Sequence, residues 1–396
     1  MVLIQANRLG SNLVKVRDNR GGPMETQYRH AMLAAPDHDE GRRQDFVVTF
    51  SRHLAQQVQP GNRLIFERAV EPSLRQRQGR CPSRTEVRRA MHEVPYWQAF
   101  SSLKRSMQEM LFDSVGESVE RQLPALIEHA KTSRTRPKGS LTLNPRVKAP
   151  RYLTAVDIHC MPGNYHSEIT RDDVYAGALF DRGIYLYGMG GLGPQNDDMG
   201  NSMTAFLKRR FPKLAPRRFL DLGCSAGTNT VPYARAFPTD EIHAIDVAAP
   251  QLRYAHARAE ALGAAIHFSQ RDATHTGFAA GSFDLIVSHI LGHETATTAF
   301  KDIMKECYRL LAPGGVMVHI ETNWATKDDP FNQSVLDWET HYNAEPFKTT
   351  LDELDLKKVA LDAGFKGANV FFDKVPSVRA GVKYYRGQWN AFCARR

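Results

Sequence analysis

Residues 151–396 predict an α/β domain built on a mostly parallel sheet with helices on both faces, and residues 1–150 predict a mainly helical, basic region ahead of it. Three observations carry this reading. After Tyr152, strand-like runs alternate with helix-like runs, whereas before it apolar residues recur mostly at threes and fours. The run FDLIVSHI, from Phe283 to Ile290, is largely apolar, as a strand covered on both faces should be. The short apolar strand Arg218–Leu222 leads directly into a turn containing Gly223, Ser225 and Gly227. Such a turn lets a ligand lie against bare backbone, and the helix that follows offers unpaired N–H groups.

The elements follow in chain order. Residues 1–45 are polar and without a clear period, and the leading MVLI is too short an apolar run for a secretory leader. From about Asp45 to Ala130 the pattern is helical. It is clearest from Arg89 to Lys131, where Met91, Phe100, Leu103, Met107, Leu111, Val115 and Val119 recur at helical spacing. Pro95 and Pro124 predict breaks or kinks there. Ser83-Arg84-Thr85-Glu86 has the spacing of a capping box and predicts a helix start. Residues 133–150 carry three prolines and several basic groups, and read as a linker. Beyond it, strands fit best at 218–222, 241–246, 265–270, 283–289, 315–321, 368–372 and 389–394. Helices fit best at 201–210, 229–237, 250–262, 294–311 and 350–363.

The charge is uneven. Residues 1–150 hold 25 Lys and Arg against 15 Asp and Glu, while the remainder holds 27 against 28. A solvated basic helical surface or a patch for a polyanion would each account for that. The five cysteines are scattered and form no CxxC pair, which argues against a disulfide framework or a zinc finger and predicts a reducing, cytoplasmic setting. There is no long apolar run, so no membrane partner is expected.

Acidic residues around the glycine turn point to its ligand. Asp221 precedes the first glycine by two residues. Asp246 closes the next strand, nineteen residues after Gly227, where a carboxylate can accept both hydroxyls of a ribose. The third strand ends in Gln270-Arg271-Asp272-Ala273, where an acid can accept from an adenine amino group.

With these pieces in order, residues 200–396 resemble a class I S-adenosylmethionine-dependent methyltransferase. The resemblance rests on DLGCSAG, the acid of AID at 246, RDA at 271–273, SFDLIVSH and the LLAPGG turn. It implies a Rossmann-like, seven-stranded sheet with a reversed last strand at 389–394, and S-adenosyl-L-methionine as cofactor. It also implies roles: Asp221, Gly223, Ser225 and Gly227 around the methionine part, Asp246 with Val247 at the ribose, Asp272 and Ala273 at the adenine, and Ser288 beneath the methionine or ribose. Ser225 stands where many members have a second glycine. Two rivals claim the same turn. Gly223 to Gly227 also spells G-x-S-x-G, a hydrolase nucleophile elbow, but an elbow has no use for acids at 221, 246 and 272. A nicotinamide dinucleotide fold would want glycine where Ser225 and Thr228 stand.

Three regions bear on the methyl acceptor. The first is Ser288 to Glu294, where His293 is the candidate base and Glu294 is placed to orient it. His289 and His293 are also four apart, a metal-ligand spacing on a helix, though no third ligand is evident nearby. The second is 159–191, rich in aromatic, polar and glycine residues. Tyr187 is expected near the methionine end, and Tyr165 or His166 near the acceptor. Asp157, His159, His166 and Glu168 match no established metal spacing. The third is the insert Glu321 to Trp324 and 331–347, where Trp338, Tyr342, Asn343 and Phe347 would cap the pocket.

The acceptor class follows by exclusion. The Asn/Asp-Pro-Pro-Tyr/Phe motif of nucleic-acid amino-methyltransferases is replaced here by SHIL. No cysteine lies between Cys224 and Cys307, and there is no hairpin of paired glutamates. This predicts methylation of a small-molecule acceptor at O, N or S, with no metal. The basic N-terminal region keeps a nucleic-acid partner as the second reading, and a homodimer is left open.

Overall fold

The computed structural model describes residues 26–237, 241–322, 329–379 and 387–396. Asn323 and Trp324, expected at the start of the cap, lie outside the described residues. Helix α1 (His38–His53) runs on through π-helical turns at Leu54–Val58 and Phe66–Val70, which flank α2 (Gln59–Ile65) and lead into α3 (Glu71–Gln78). Helix α4 (Arg84–His92) starts on the Ser83 box, with both reciprocal bonds to Glu86 formed. Helix α5 (Pro95–Thr132) places Pro95 in its first turn, where the missing N–H costs nothing. It continues uninterrupted through Pro124, so the break expected there does not occur. An internal proline costs roughly 3 kcal/mol. Burial of Val119, Leu123, Leu126 and Ala130 on one stripe offsets it.

The stretch that reads as a linker holds a strand, β1 (Ser140–Thr142), followed by α6 (Arg151–Thr154), α7 (Tyr175–Tyr187) and α8 (Asp198–Arg210). The alternation that follows is β2 (Arg218–Leu222), α9 (Val231–Ala236), β3 (Glu241–Asp246), α10 (Ala249–Ala261), β4 (His267–Gln270) and β5 (Phe283–His289). Next come α11 (Thr297–Leu310), β6 (Leu311–Glu321), α12 (Pro330–Tyr342), α13 (Lys348–Glu353), α14 (Leu356–Ala363), β7 (Val370–Pro376) and β8 (Gln388–Arg395). The expected helix at 350–363 is two, because Asp355 caps a new start by accepting the Lys358 N–H.

The sheet order is β1-β4-β3-β2-β5-β6-β8-β7. All pairings are parallel except those of β8, which runs antiparallel to β6 and β7. Among the described residues the sheet therefore has eight strands, one more than the seven expected. β1 adds itself to the free edge of β4, pairing Leu141 with Phe268. The order reverses between β2 and β5, so the cleft of an open α/β sheet must lie at their C-terminal ends.

One face of the sheet is covered by α8, α9 and α10, around Met203, Phe206, Tyr233 and Leu252. The other is covered by α11 and α14, around Ile303, Met304, Leu310 and Val359. A third layer joins the N-terminal region to the domain: Val115 and Val119 of α5 and Leu179 of α7 share a core with Tyr254 and Ala257 of α10. Among the described residues, no helix is long and apolar enough to cross a membrane.

The basic excess of the N-terminal region has a local counterpart. Residues 329–355 hold seven Asp and Glu against one Lys. Arg63 reaches Asp329 at 2.7 Å, Arg84 pairs with Asp337 and with Glu353 at 2.8 Å, and Lys104 meets Glu339 at 2.6 Å. Other arginines pair within the region, Arg75 with Glu71 and Arg80 with Glu86 among them. Part of the basic excess, at Arg63, Arg84 and Lys104, is thus met by carboxylates of residues 329–355.

Candidate active site

The turn after β2 needs left-handed backbone at three places. Gly223 and Gly227 have φ of 65° and 69°, and Ser225 adopts 47°. Glycine takes such values freely, whereas serine bears a cost of about 1–2 kcal/mol. Gly227 also packs closely: a Cβ there would lie 3.3 Å from Ala255 Cβ and from the Phe268 ring. Asp246, at the end of β3, accepts the Ser225 N–H at 3.0 Å and the Ala248 N–H at 2.9 Å. Burial pushes its carboxyl up, against these backbone donors. Asp221 accepts from Thr230 Oγ1 at 2.6 Å, while its buried Oδ1 accepts no hydrogen bond among the described residues and stands 3.5 Å from His289 Nδ1. Ser225 Oγ donates to Gln251 Oε1 at 3.2 Å. That partner cannot act as the base a serine nucleophile requires.

A cavity of about 200 Å³ opens over these strand ends. Asp221, Gly223, Ser225, Asp246, Val247, Asp272 and Ala273 line one end. Tyr187, Tyr165 and His293 line it further on. Three expected residues are placed elsewhere. Gly227 lies beneath the turn against Ala255 and Phe268. Ser288 is fully buried, its Oγ 2.6 Å from His319 Nδ1. Strand alternation turns it away and presents His289 to the cavity instead. His166 is not among the lining residues, and its buried Nδ1 has no partner among the described residues. Its neighbour Tyr165 takes the cavity position.

The far end of the cavity is polar. His293 sits in a single 3-10 turn, Gly292–Glu294, so it and His289 do not share a helix. His293 Nδ1 lies 2.7 Å from Glu321 Oε2, and Glu321 Oε1 accepts the Gly292 N–H at 2.7 Å. Glu321 is therefore the orienting carboxylate. Glu294, expected in that role, lies 3.9 Å from His293 Nε2 and instead accepts from Tyr165 OH at 3.3 Å. Burial opposes the charged form of His293, but Glu321, then Glu294 and Glu345, outweigh it and hold the imidazole above its ordinary range. His159 completes the group. Its Nε2 is 3.5 Å from Glu294 and its Nδ1 is 3.2 Å from Glu345, which also pairs with Lys348. Burial lowers the His159 pKa, and Glu345 and Glu294 more than restore it. Burial likewise pushes the Tyr165 hydroxyl well up, with Glu294 and Glu345 adding to it.

Walls come from two sides. Phe180, Ile184 and Tyr187, at helical spacing on α7, face the cavity with Leu192, Met199 and Trp389. Tyr152 meets Phe347 edge to face at 5.7 Å. Burial, with Asp272 and Asp246, pushes the Tyr152 hydroxyl up to about 12. The backbone around the cavity is strained: His159, Cys160, Ile290 and Ala344 have φ of 57°, 60°, 60° and 51°. A β-branched residue such as Ile290 is rarely found there, and clustered strain of this kind is a mark of functional sites.

From the sequence, His289 is legible only as half of a metal spacing and Glu321 only as the start of the cap insert, while Glu345 and Lys348 are not singled out. The available signal was position: Glu321 and His289 both stand at C-terminal strand ends, where open α/β sheets place their ligands.

Residues 219–315 match the model of a methyltransferase domain. The chain is 34% identical over 107 residues to a demethylmenaquinone methyltransferase from Thermus thermophilus, a match covering 27% of this chain and 48% of the relative. It is 31% identical over 174 residues to a ubiquinone biosynthesis O-methyltransferase from Psychrobacter arcticus, covering 38% of this chain and 60% of the relative. The chain thus spans about half the length of these curated relatives. Among solved structures, it is similar to phosphoethanolamine N-methyltransferase 2 from Haemonchus contortus in complex with S-adenosyl-L-methionine. That match has 18% identity and a TM-score of 0.40, and covers 55% of this chain and 57% of the other.

Proposed function

We propose that the chain methylates a small-molecule acceptor from S-adenosylmethionine, in keeping with the methyltransferase domain that residues 219–315 match, and that the atom methylated is a hydroxyl oxygen. One observation carries the reading: a single cavity joins the glycine turn and its acids to a buried histidine held by a carboxylate. The residues fit the cofactor. Asp221 Oδ1 is a buried acceptor that has no donor among the described residues, suited to the methionine ammonium. Asp246 and Val247 would hold the ribose, and Asp272 and Ala273 the adenine. Tyr152 and Tyr187 would cover the two ends.

S-adenosylmethionine supplies an already activated methyl on a sulfonium. The protein's part is to align the acceptor, exclude water and take one proton. Nitrogen and sulfur acceptors are already nucleophilic, or become so at little cost. A hydroxyl has a high pKa and gains most from a base at the reacting atom. With Nδ1 committed to Glu321, His293 would present Nε2 to that hydroxyl. Leu192, Met199, Ile184 and Trp389 would receive an apolar acceptor body.

Calorimetry with S-adenosylhomocysteine tests the cofactor half. Wild-type protein should bind it at micromolar levels, and Asp246→Ala should weaken binding at least about 100-fold, the worth of two charge-assisted hydrogen bonds. Absence of binding to correctly folded wild type would overturn the proposal. Gly200→Ala should also weaken binding. Its Cβ would fall 2.3 Å from the Asn229 carbonyl oxygen, displacing the end of the cofactor turn.

A further inference from the structure

We propose that one face of helix α5, in the N-terminal region, is a built part of the acceptor site, and that Lys104 and Gln108 are positioning residues for His159. The inference rests on the reading of the cavity above, and it gives the N-terminal region a role in acceptor recognition.

Ser101, Lys104, Arg105 and Gln108 are spaced at three, four and seven, so they share one face of α5. Ser101, Lys104 and Arg105 hold α12, which leads into the Glu345 and Lys348 segment, and Gln108 holds His159, which lines the polar end of the cavity. Ser101 Oγ accepts from Trp338 Nε1 at 2.8 Å. Lys104 Nζ donates to Glu339 at 2.6 Å and lies 4.1 Å above the Trp338 ring. Arg105 donates to the Tyr342 carbonyl at 2.9 Å, and Gln108 to the His159 carbonyl at 3.0 Å.

These bonds continue inward. Asn343 Nδ2 lies 3.0 Å from Glu339 Oε2, 3.0 Å from Glu345 Oε1 and 3.2 Å from His159 Nδ1. The His159 N–H donates to the Asn343 carbonyl at 3.0 Å. His159 is thus held at both its N–H and its carbonyl, which is what its left-handed backbone requires to persist. Its ring then reaches Glu294, which Tyr165 also contacts. A connected path of hydrogen bonds runs from a surface-crossing helix to the cavity wall. Trp338, on α12, is buried against Ser101 of α5.

The charged groups facing His159 are Glu294, Glu345 and Lys348 directly, with Glu339 and Lys104 behind Asn343. Removing the Lys104 charge takes away a repelling cation and leaves Glu339 less compensated. Both effects favour protonated His159.

The test is the His159 ring titration, followed by nitrogen–proton NMR in the full chain, with and without S-adenosylhomocysteine. Lys104→Met should raise the His159 midpoint by about half a unit or more. Lys104→Arg should restore it, and S-adenosylhomocysteine affinity should stay within about twofold in both. Lys104→Gln, which keeps a donor for Glu339 and removes only the charge, should move the midpoint in the same direction if the methionine variant folds poorly. An unmoved midpoint in folded Lys104→Gln overturns the proposal. Loss of the methyltransferase reading would show separately, as wild type that fails to bind S-adenosylhomocysteine while its His159 still responds to Lys104.

Discussion

His293→Ala is expected to lower kcat by about 10²–10⁴-fold, the range for removing a positioned general base, while leaving S-adenosylhomocysteine affinity near wild type. The pH profile adds a sharper expectation. His293 acts as a base only when neutral, so kcat should rise as pH climbs through its folded pKa. Burial lowers that pKa, but Glu321 at 2.7 Å, with Glu294 and Glu345, raises it above the ordinary 6.5. The rising limb should therefore lie above about pH 6.5. In Glu321→Gln the strongest raising charge is gone and burial prevails, so the limb should move to lower pH. The same variant should cost at least about tenfold in kcat through lost orientation. Turnover is followed as S-adenosylhomocysteine release with a panel of hydroxylated aromatic acceptors. Wild-type kcat in His293→Ala, or a limb that stays in place in Glu321→Gln, would remove His293 from the chemistry.

The histidine was legible in the sequence and its partner was not, for a physical reason. His293 follows the apolar run of β5 at a short distance, so local pattern places it at a strand end. Glu321 lies 28 residues further on, and meets His293 only because β5 and β6 are parallel neighbours in register, Ser288 against His319 and His289 against Ile320. Glu294 is adjacent in sequence, but the 3-10 turn aims it at Tyr165 and His159 instead. Ser288 does not reach the cavity for a reason of parity: a strand shows one of two consecutive side chains to one side, and here that one is His289. The glycine turn, Asp221, Asp246 and Asp272 were legible because their spacing belongs to a strand–turn–helix repeat whose parts are all local. Strand β1 was hidden for the converse reason. Three residues between prolines carry no strand signal of their own, and Ser140–Thr142 becomes a strand by docking on β4, more than 120 residues away. The basic first third was visible as a charge excess, but its carboxylate partners in 329–355 become apparent only once α4, α5 and α12 are packed together.

Asp181→Ala is expected to destabilise the protein by about 3–5 kcal/mol, the cost of leaving one member of a buried ion pair alone. Asp181 has no exposed surface, and it accepts from Arg258 Nε at 3.0 Å, Tyr254 OH at 2.9 Å and Asn196 Nδ2 at 2.8 Å, with His30 Nε2 at 3.2 Å. Removing it strands Arg258, which is 1% exposed and whose Nη1 already lacks a partner among the described residues. The double variant Asp181→Leu with Arg258→Met should recover part of the loss, since it removes the stranded guanidinium while Tyr254 OH, Asn196 Nδ2 and His30 Nε2 still lose their acceptor. Urea midpoints at unchanged m-value measure both. Burial alone would raise the Asp181 pKa, yet Arg258, followed by His30 and Tyr254, holds it well below the usual carboxylate range. A depressed carboxylate contributes stability above its unfolded pKa of about 3.9 and loses it as pH falls toward the folded value. Asp181→Ala should accordingly lose its deficit, relative to wild type, only below about pH 4. The network also bears on the site. Asp181 fixes one face of α7 against α10, while Phe180, Ile184 and Tyr187 on the adjoining face line the cavity. Anchoring that helix with a charge, which admits one geometry, fixes the rotation of the cavity wall more tightly than apolar contact would. The double variant should therefore regain part of its stability while still binding S-adenosylhomocysteine more weakly than wild type, and equal affinity would show that packing alone sets the wall.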